Sequence, residues 1–366
     1  MIRLLFRYLF REIFKGIVLA ASIVGSLVFV VDYVELSRRM DARPDVNSLQ
    51  ILNLTLLKMP GMIEQTLPFI VLFGVMWVMF RLNRRSELVA MRAASMSAWQ
   101  FALPAVLIAL FLGILGTTLL NPMAAQMNAQ FERERIALLD AEDTQNKGTR
   151  KAVWFREAVD EGIVVIRAGN VIPQTATLFD ITFFYYTLSE DQTPIVQHRI
   201  DAEKAILQPG FWQLLDATDL SRYGDAKHYE TLALPTKIAP SSLLSDSFRA
   251  ANFSIYALPA LIADSKKAGF GARRYQLQMH QLLSLPLTLA AMALIGAAFS
   301  FKLVRLGGTL RLALTAGAAG FALYFANDLL QTLGATQVLP PMIAIWAAPV
   351  FVFLAGLARI TILEDG

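Results

Sequence analysis

The chain is 366 residues long, 55% hydrophobic and only 17% charged, with a formal net charge of +4. Soluble domains carry roughly a quarter charged residues, so this composition excludes an ordinary soluble protein and predicts an integral membrane protein. The absence of cysteine excludes disulfides and thiol chemistry, and His198, His228 and His280 are too scattered to suggest a metal centre.

Arg3, Arg7, Arg11 and Lys15 precede the apolar run Gly16 to Val31, which with its flanks is long enough to cross a bilayer. Their position reads as positive-inside bias and predicts a cytoplasmic N-terminus. The run is too long for the core of a cleaved signal and continues into Asp32, Glu35, Arg38 and Arg39, so it is expected to stay as an anchor. Those four charges suggest either a charged outer mouth or ordinary flanking residues that snorkel to the interface.

A second span is predicted from about Leu56 to Phe80, broken by Pro60 and Pro68, with Glu64 and Gln65 between them facing protein or a wet cavity. The basic stretch Arg81 to Trp99 follows, opening with Arg81, Arg84 and Arg85. Ser86 is placed to cap a short helix whose apolar stripe is Leu88, Met91 and Met96 with Val89 and Ala93, Glu87 and Arg92 lying nearer the polar side. Such a helix is either a surface for a cytoplasmic partner or a basic loop resting on lipid headgroups. A third span, Phe101 to Leu120, is expected to end at Asn121-Pro122 and to continue outside the membrane as a polar helix.

From about Thr149 to Ser247 the pattern changes to short runs rich in β-branched and aromatic residues, separated by turn residues. They predict an antiparallel sandwich or open barrel. Ile181, Phe183 and Tyr185 alternate with Phe184 and Tyr186, so both faces are apolar; either a plain core or an apolar lining would explain this. Ser254 is expected to cap a helix through Ala268, closed by Gly269. Three further spans are predicted at Leu277 to Phe301, Leu312 to Leu333 and Met342 to Ile360, with Arg273 and Arg274 before the first of them. Lys302, Arg305 and Arg311 place the intervening loop in the cytoplasm, and Asp328 lies near the outer end of the fifth span.

The expected fold is therefore an α-helical membrane protein with six transmembrane helices and an extracytoplasmic antiparallel β domain inserted between helices three and four. Its expected divisions are 1–120 (spans one to three, with the short helix at about 84–98), 121–148 (helical connection), 149–250 (β domain), 251–276 (helical connection) and 277–366 (spans four to six). The sequence contains no G-x-x-x-x-G-K-[ST], no H-E-x-x-H and no G-x-S-x-G, so neither nucleotide hydrolysis nor hydrolase chemistry is expected of it. Asp32 and Asp328 could pair as intramembrane carboxylates, but no supporting motif accompanies them. A permease for an amphipathic substrate fits better, with a membrane scaffold that recruits partners through its β domain as the alternative.

The stretches RSELVAMRAASMS after span two, VDYVELSRR at the end of span one and RRYQLQMH before span four resemble the LptF/LptG permease family, most closely its LptG branch, as does the three-plus-three topology. The resemblance covers essentially the whole chain. It implies a subunit of the lipopolysaccharide export ABC transporter in a bacterial inner membrane, with both termini cytoplasmic and a β-jellyroll-like domain in the periplasm. The implied partners are an LptF-like sister permease, an LptB-like ATPase dimer, an LptC-like single-span protein and an LptA-like bridge. No cofactor is expected on this chain, ATP and Mg belonging to the ATPase. By the same resemblance, Arg84, Arg85, Ser86, Glu87, Leu88, Met91 and Arg92 belong to a coupling helix, with Glu87 meeting basic groups on the ATPase. Asp32, Glu35, Arg38, Arg39, Arg273 and Arg274 are the residues expected near the lipid headgroup, and Phe29, Glu64 and Asp328 are cavity candidates. Some relatives carry a lysine shortly before the first acidic residue, where this chain has Phe29.

Overall fold

The computed structural model describes residues 2–40, 47–93, 97–143, 153–159, 162–172, 177–188, 194–208, 210–221, 226–236, 253–267, 272–300 and 309–365. The chain forms two compact units, one of Met1–Leu138, Asn252–Pro259 and Arg273–Gly366, the other of Leu139–Ala251 and Ala260–Ala272.

The first unit is a helical bundle. It contains α1 (Ile2–Met40), α2 (Ser48–Arg84), the seven-residue α3 (Glu87–Ala93), α4 (Ala98–Leu115) and α5 (Asn121–Asp143). It also contains α7 (Arg273–Ser300), α8 (Thr309–Ala335) and α9 (Pro341–Asp365); α6 is Leu258–Lys267. Among the described residues, five segments are long and apolar enough to cross a membrane: Arg3–Met40, Ser48–Arg84, Ala98–Arg135, Arg273–Ala298 and Pro341–Ile362. The remaining expected span falls on α8, whose 27 residues rise about 40 Å, enough for a hydrocarbon core of roughly 30 Å.

Small residues let the bundle close. α7 is its centre, every residue from Leu289 to Ala298 being buried, and five of these ten are alanine and one glycine. Gly113 of α4 lies against α7, where a β carbon would fall 2.3 Å from Pro286 Cα. With no hydrophobic force between helices in lipid, such close contact is what holds spans together. Leu9, Ile13 and Ile17, four residues apart on α1, join Val75, Val78 and Leu82 of α2 in the main core.

Two sequence expectations change in detail, and the junction after span three gains one. Pro60 and Pro68 do not break the second span; both lie inside a continuous α2. Prolines are tolerated in membrane-spanning helices because neighbouring groups can satisfy the freed backbone. The helix continues past Asn121-Pro122, as expected, running through a π-helical turn at Gly116–Leu120 into α5. Pro122 has no N–H for the carbonyl four residues back, Thr118, and the widened turn accommodates it, Asn121 N–H reaching Gly116 O. Ser254 starts a turn rather than the helix: its carbonyl accepts from Ala257 and Leu258 N–H, and α6 begins at Leu258, followed by Pro259 in the first turn.

The second unit holds one antiparallel sheet of six strands in consecutive order. They are β1 (Val153–Val159), β2 (Gly162–Ile172), β3 (Thr177–Leu188), β4 (Pro194–Gln208), β5 (Phe211–Ser221) and β6 (Lys227–Pro235). The expected sandwich has no second sheet among the described residues; the open form is what the chain adopts. Thr236, one residue past β6, donates its hydroxyl to Glu157 Oε2 of β1 at 2.7 Å, so the two outermost strands come together at that point. One face carries the core, with Val164, Ile166, Ile181, Phe183, Trp212 and Leu214 buried. Phe183 meets Trp212 edge to face at 6.0 Å. Phe184 and Tyr186 lie on the opposite face, where Trp154 stacks on Phe184 at 6.4 Å and Arg199 lies 5.5 Å from the same ring.

Candidate functional site

The chemistry-bearing residues of the bundle gather at two ends. At one, α2 and α3 meet in an elbow at Arg85 and Ser86. Ser86 has a left-handed φ of 58°, unusual for a residue with a β carbon, and its carbonyl accepts the first helical bond from Ala90 N–H. It thus occupies the expected capping position, with the chain turning sharply there. Leu88 and Met91 are buried in the main core, which fixes the face of α3 turned to the bundle. Ala93 is exposed, so it lies off the expected stripe, and Met96 falls outside the described residues. Arg84, Arg85 and Arg92 are exposed.

Glu87 is turned towards α1. Tyr8 Oη donates to Glu87 Oε2 at 2.8 Å, and Arg85 Nη1 lies 3.9 Å from Oε1. One turn further along α1, Glu12 is ion-paired with Arg81 at the end of α2 and with Lys15 at 3.0 Å. Tyr8 and Glu12 are four residues apart and share one face of α1. Neither was singled out from sequence, where the run of basic residues around them dominates; the isolated acid among cations was the available clue.

At the opposite end, Asp32 and Lys58 form an ion pair between α1 and α2. Asp32 is buried, and Lys58 also lies 5.5 Å from the Phe131 ring of α5. Lys58 was likewise missed, although a lone lysine in an apolar helix requires a counter-charge. Arg39 binds Glu35 at 2.8 Å within α1, while Arg38 is exposed with no ion-pair partner among the described residues. Phe29 stacks on Tyr33 at 6.3 Å. Arg273 donates to the carbonyls of Gly334 and Leu339, closing the C-terminal end of α8 and the turn into α9, whereas Arg274 is exposed. Asp328 is exposed on α8, and no hydrogen bond or ion pair joins it to Asp32 among the described residues.

Deeper in the bundle, Glu64 accepts from Asn121 Nδ2 at 3.3 Å, and the same amide accepts Ile255 N–H at 2.9 Å. Asn121 is fully buried beside the π-helical turn. Thr117 of that turn donates to Leu282 O at 2.8 Å, so α2, α7 and the π-helical junction between α4 and α5 share one polar seam. Asn121 was read from sequence only as the mark of the span's exit.

These side chains offer charged and apolar surfaces. α1 exposes Val18, Ile23, Leu27, Val30, Val31 and Val34, and α8 exposes Leu314, Phe321, Phe325 and Leu329. Residues 7–362 match the family model for the lipopolysaccharide export system permease LptF/LptG. Among curated proteins, the chain is similar to the lipopolysaccharide export system permease protein LptG of Haemophilus influenzae, with 24% identity over 359 residues, covering 95% of this chain and 94% of that protein.

Proposed function

The chain belongs to the lipopolysaccharide export permease family LptF/LptG, and from that premise we propose that it is one half of an ABC transporter's membrane part. It is a multi-pass inner-membrane protein of a bacterium. The single observation that carries the reading is the family match over residues 7–362, spanning both helical blocks and the sheet between them.

In this reading lipopolysaccharide leaves the outer leaflet through gaps between α1 and a sister permease's fifth span, and between α8 and that permease's first span. The long unburied apolar stripes of α1 and α8 support it, since among the described residues no helix covers either face. Exposed Arg38 and Arg274 face the phosphorylated headgroup, for which guanidinium groups are well suited. An ATPase dimer binding ATP and Mg docks at the α3 elbow, and its closure drives the lipid towards the β sheet. The β domain then lies in the periplasm, with both termini in the cytoplasm, and a single-span protein and a bridge protein carry the lipid onward.

The test is a mild-detergent pull-down of the tagged chain with mass spectrometry of proteins and lipids. Recovery of a soluble ATPase, a second permease and lipopolysaccharide is the expected result. Recovery of neither ATPase nor glycolipid overturns it in favour of a scaffold.

A further inference from the structure

α3 hangs from α2 by a two-residue elbow. The burial of Leu88 and Met91 seats α3 on the bundle but ties it to no one helix. The Tyr8–Glu87 hydrogen bond ties it to α1. The Tyr8 hydroxyl holds the Glu87 carboxylate at the start of α3, and Glu12 holds Arg81 at the end of α2, on either side of the Ser86 turn.

We propose that Tyr8 is a positioning residue of the transport cycle, joining α3 to α1 so that a push on α3 moves the lipid-facing helix directly. This rests on the functional reading above, in which α3 receives the push. Tyr8 acts through Glu87. A carboxylate has about four lone-pair sites, so the one Tyr8 occupies leaves others for a cation from the ATPase. The phenol therefore fixes the direction in which Glu87 presents itself without competing for the whole group. The Glu12–Arg81 pair, one helical turn further along α1, joins α1 to the end of α2, so α1 is held on both sides of the Ser86 turn. Exposed apolar residues run along α1 from Leu4, Phe10 and Phe14 past these contacts to Val34, so displacement of the cytoplasmic turns is handed along the same helix to the lipid gate.

The experiment uses the whole transporter, reconstituted in vesicles with lipopolysaccharide and an acceptor protein, and reads lipid released per ATP hydrolysed. Tyr8→Phe keeps the ring and removes only the hydroxyl. The expected result is an assembled complex whose ratio falls by roughly tenfold, the worth of one hydrogen bond to a charged group. Glu12→Gln lowers the ratio in the same direction by a smaller factor. A purely structural role would reduce complex yield and leave the ratio of the surviving complex unchanged, and that outcome overturns the proposal. Tyr8→Phe and Glu12→Gln complexes with the wild-type ratio overturn it too, while leaving the functional reading intact. A wild-type chain that assembles with no ATPase overturns both.

Discussion

Asp32 of α1 and Lys58 of α2 form a largely buried ion pair, with side-chain exposures of 7% and 29%, at the end of the bundle where sequence pointed to lipid headgroup contacts. Asp32 Oδ2 is buried with no hydrogen-bond partner among the described residues, so Lys58 carries most of its compensation. Lys58→Met should therefore destabilise the chain by about 2 kcal/mol, less than the 3–5 typical of a fully buried pair because Lys58 is part-exposed. Adding Asp32→Asn should restore most of that loss. Thermal melting of the detergent-purified single and double variants checks the pair; equal stability of Lys58→Met and wild type would show that water or lipid already satisfies Asp32.

Neighbouring arginines should separate by role. Arg273 satisfies two carbonyls around the α8–α9 turn, whereas Arg274 is exposed. Arg273→Ala should lower stability by about 2 kcal/mol, since charged donors are lost from two carbonyls. Arg274→Ala, and Arg38→Ala with Arg39→Ala, should leave melting unchanged and reduce co-purified lipopolysaccharide. Melting curves and lipid quantification on the same preparations distinguish the two classes.

Glu87→Ala removes both the Tyr8 contact and the acid expected to meet the ATPase. The expected outcome is a folded permease that either loses the ATPase on purification or hydrolyses ATP without exporting lipid. Unchanged complex yield and unchanged export would place the coupling elsewhere on α3.

Tyr185 stacks on His198 at 4.1 Å on the sheet, and its phenol is pushed up to about 12, chiefly by burial and then by the charges of Glu157 and Asp219. A raised value means the folded state favours the neutral phenol. Its contribution to stability is complete below the ordinary tyrosine value near 10 and is lost as pH rises towards 12. Denaturant unfolding of the full chain, followed by tryptophan fluorescence, should show a steeper alkaline loss in wild type than in Tyr185→Phe.

Much of the fold was legible because long apolar runs and period-two alternation each have one dominant physical solution. The six strands lie where β-branched and aromatic runs predicted them, and Ile181 and Phe183 take the core face while Phe184 takes the other. What sequence could not give was pairing. Asp32 and Lys58 are 26 residues apart, and Tyr8 and Glu87 are 79 apart; nothing local in either segment announces its partner. Proline misled for a related reason. Its local effect is to remove a donor, but at Pro122 a hydroxyl 138 residues away takes the freed carbonyl.

The last prediction tests that dependence at Pro122. The Thr118 carbonyl, left without an i+4 donor by Pro122, accepts the Tyr256 hydroxyl at 3.2 Å. Pro122→Ala supplies a backbone N–H at that position and should favour an ordinary α turn over the π-helical one, making the phenol redundant. Tyr256→Phe should thus cost about 1 kcal/mol in wild type and close to nothing in the Pro122→Ala background, a coupling within the usual range for groups sharing one acceptor. Melting of the two single variants and the double variant measures it. Additive losses would mean that Thr118 is satisfied independently of Tyr256, and that the π-helical turn arises from the Asn121–Glu64 seam instead.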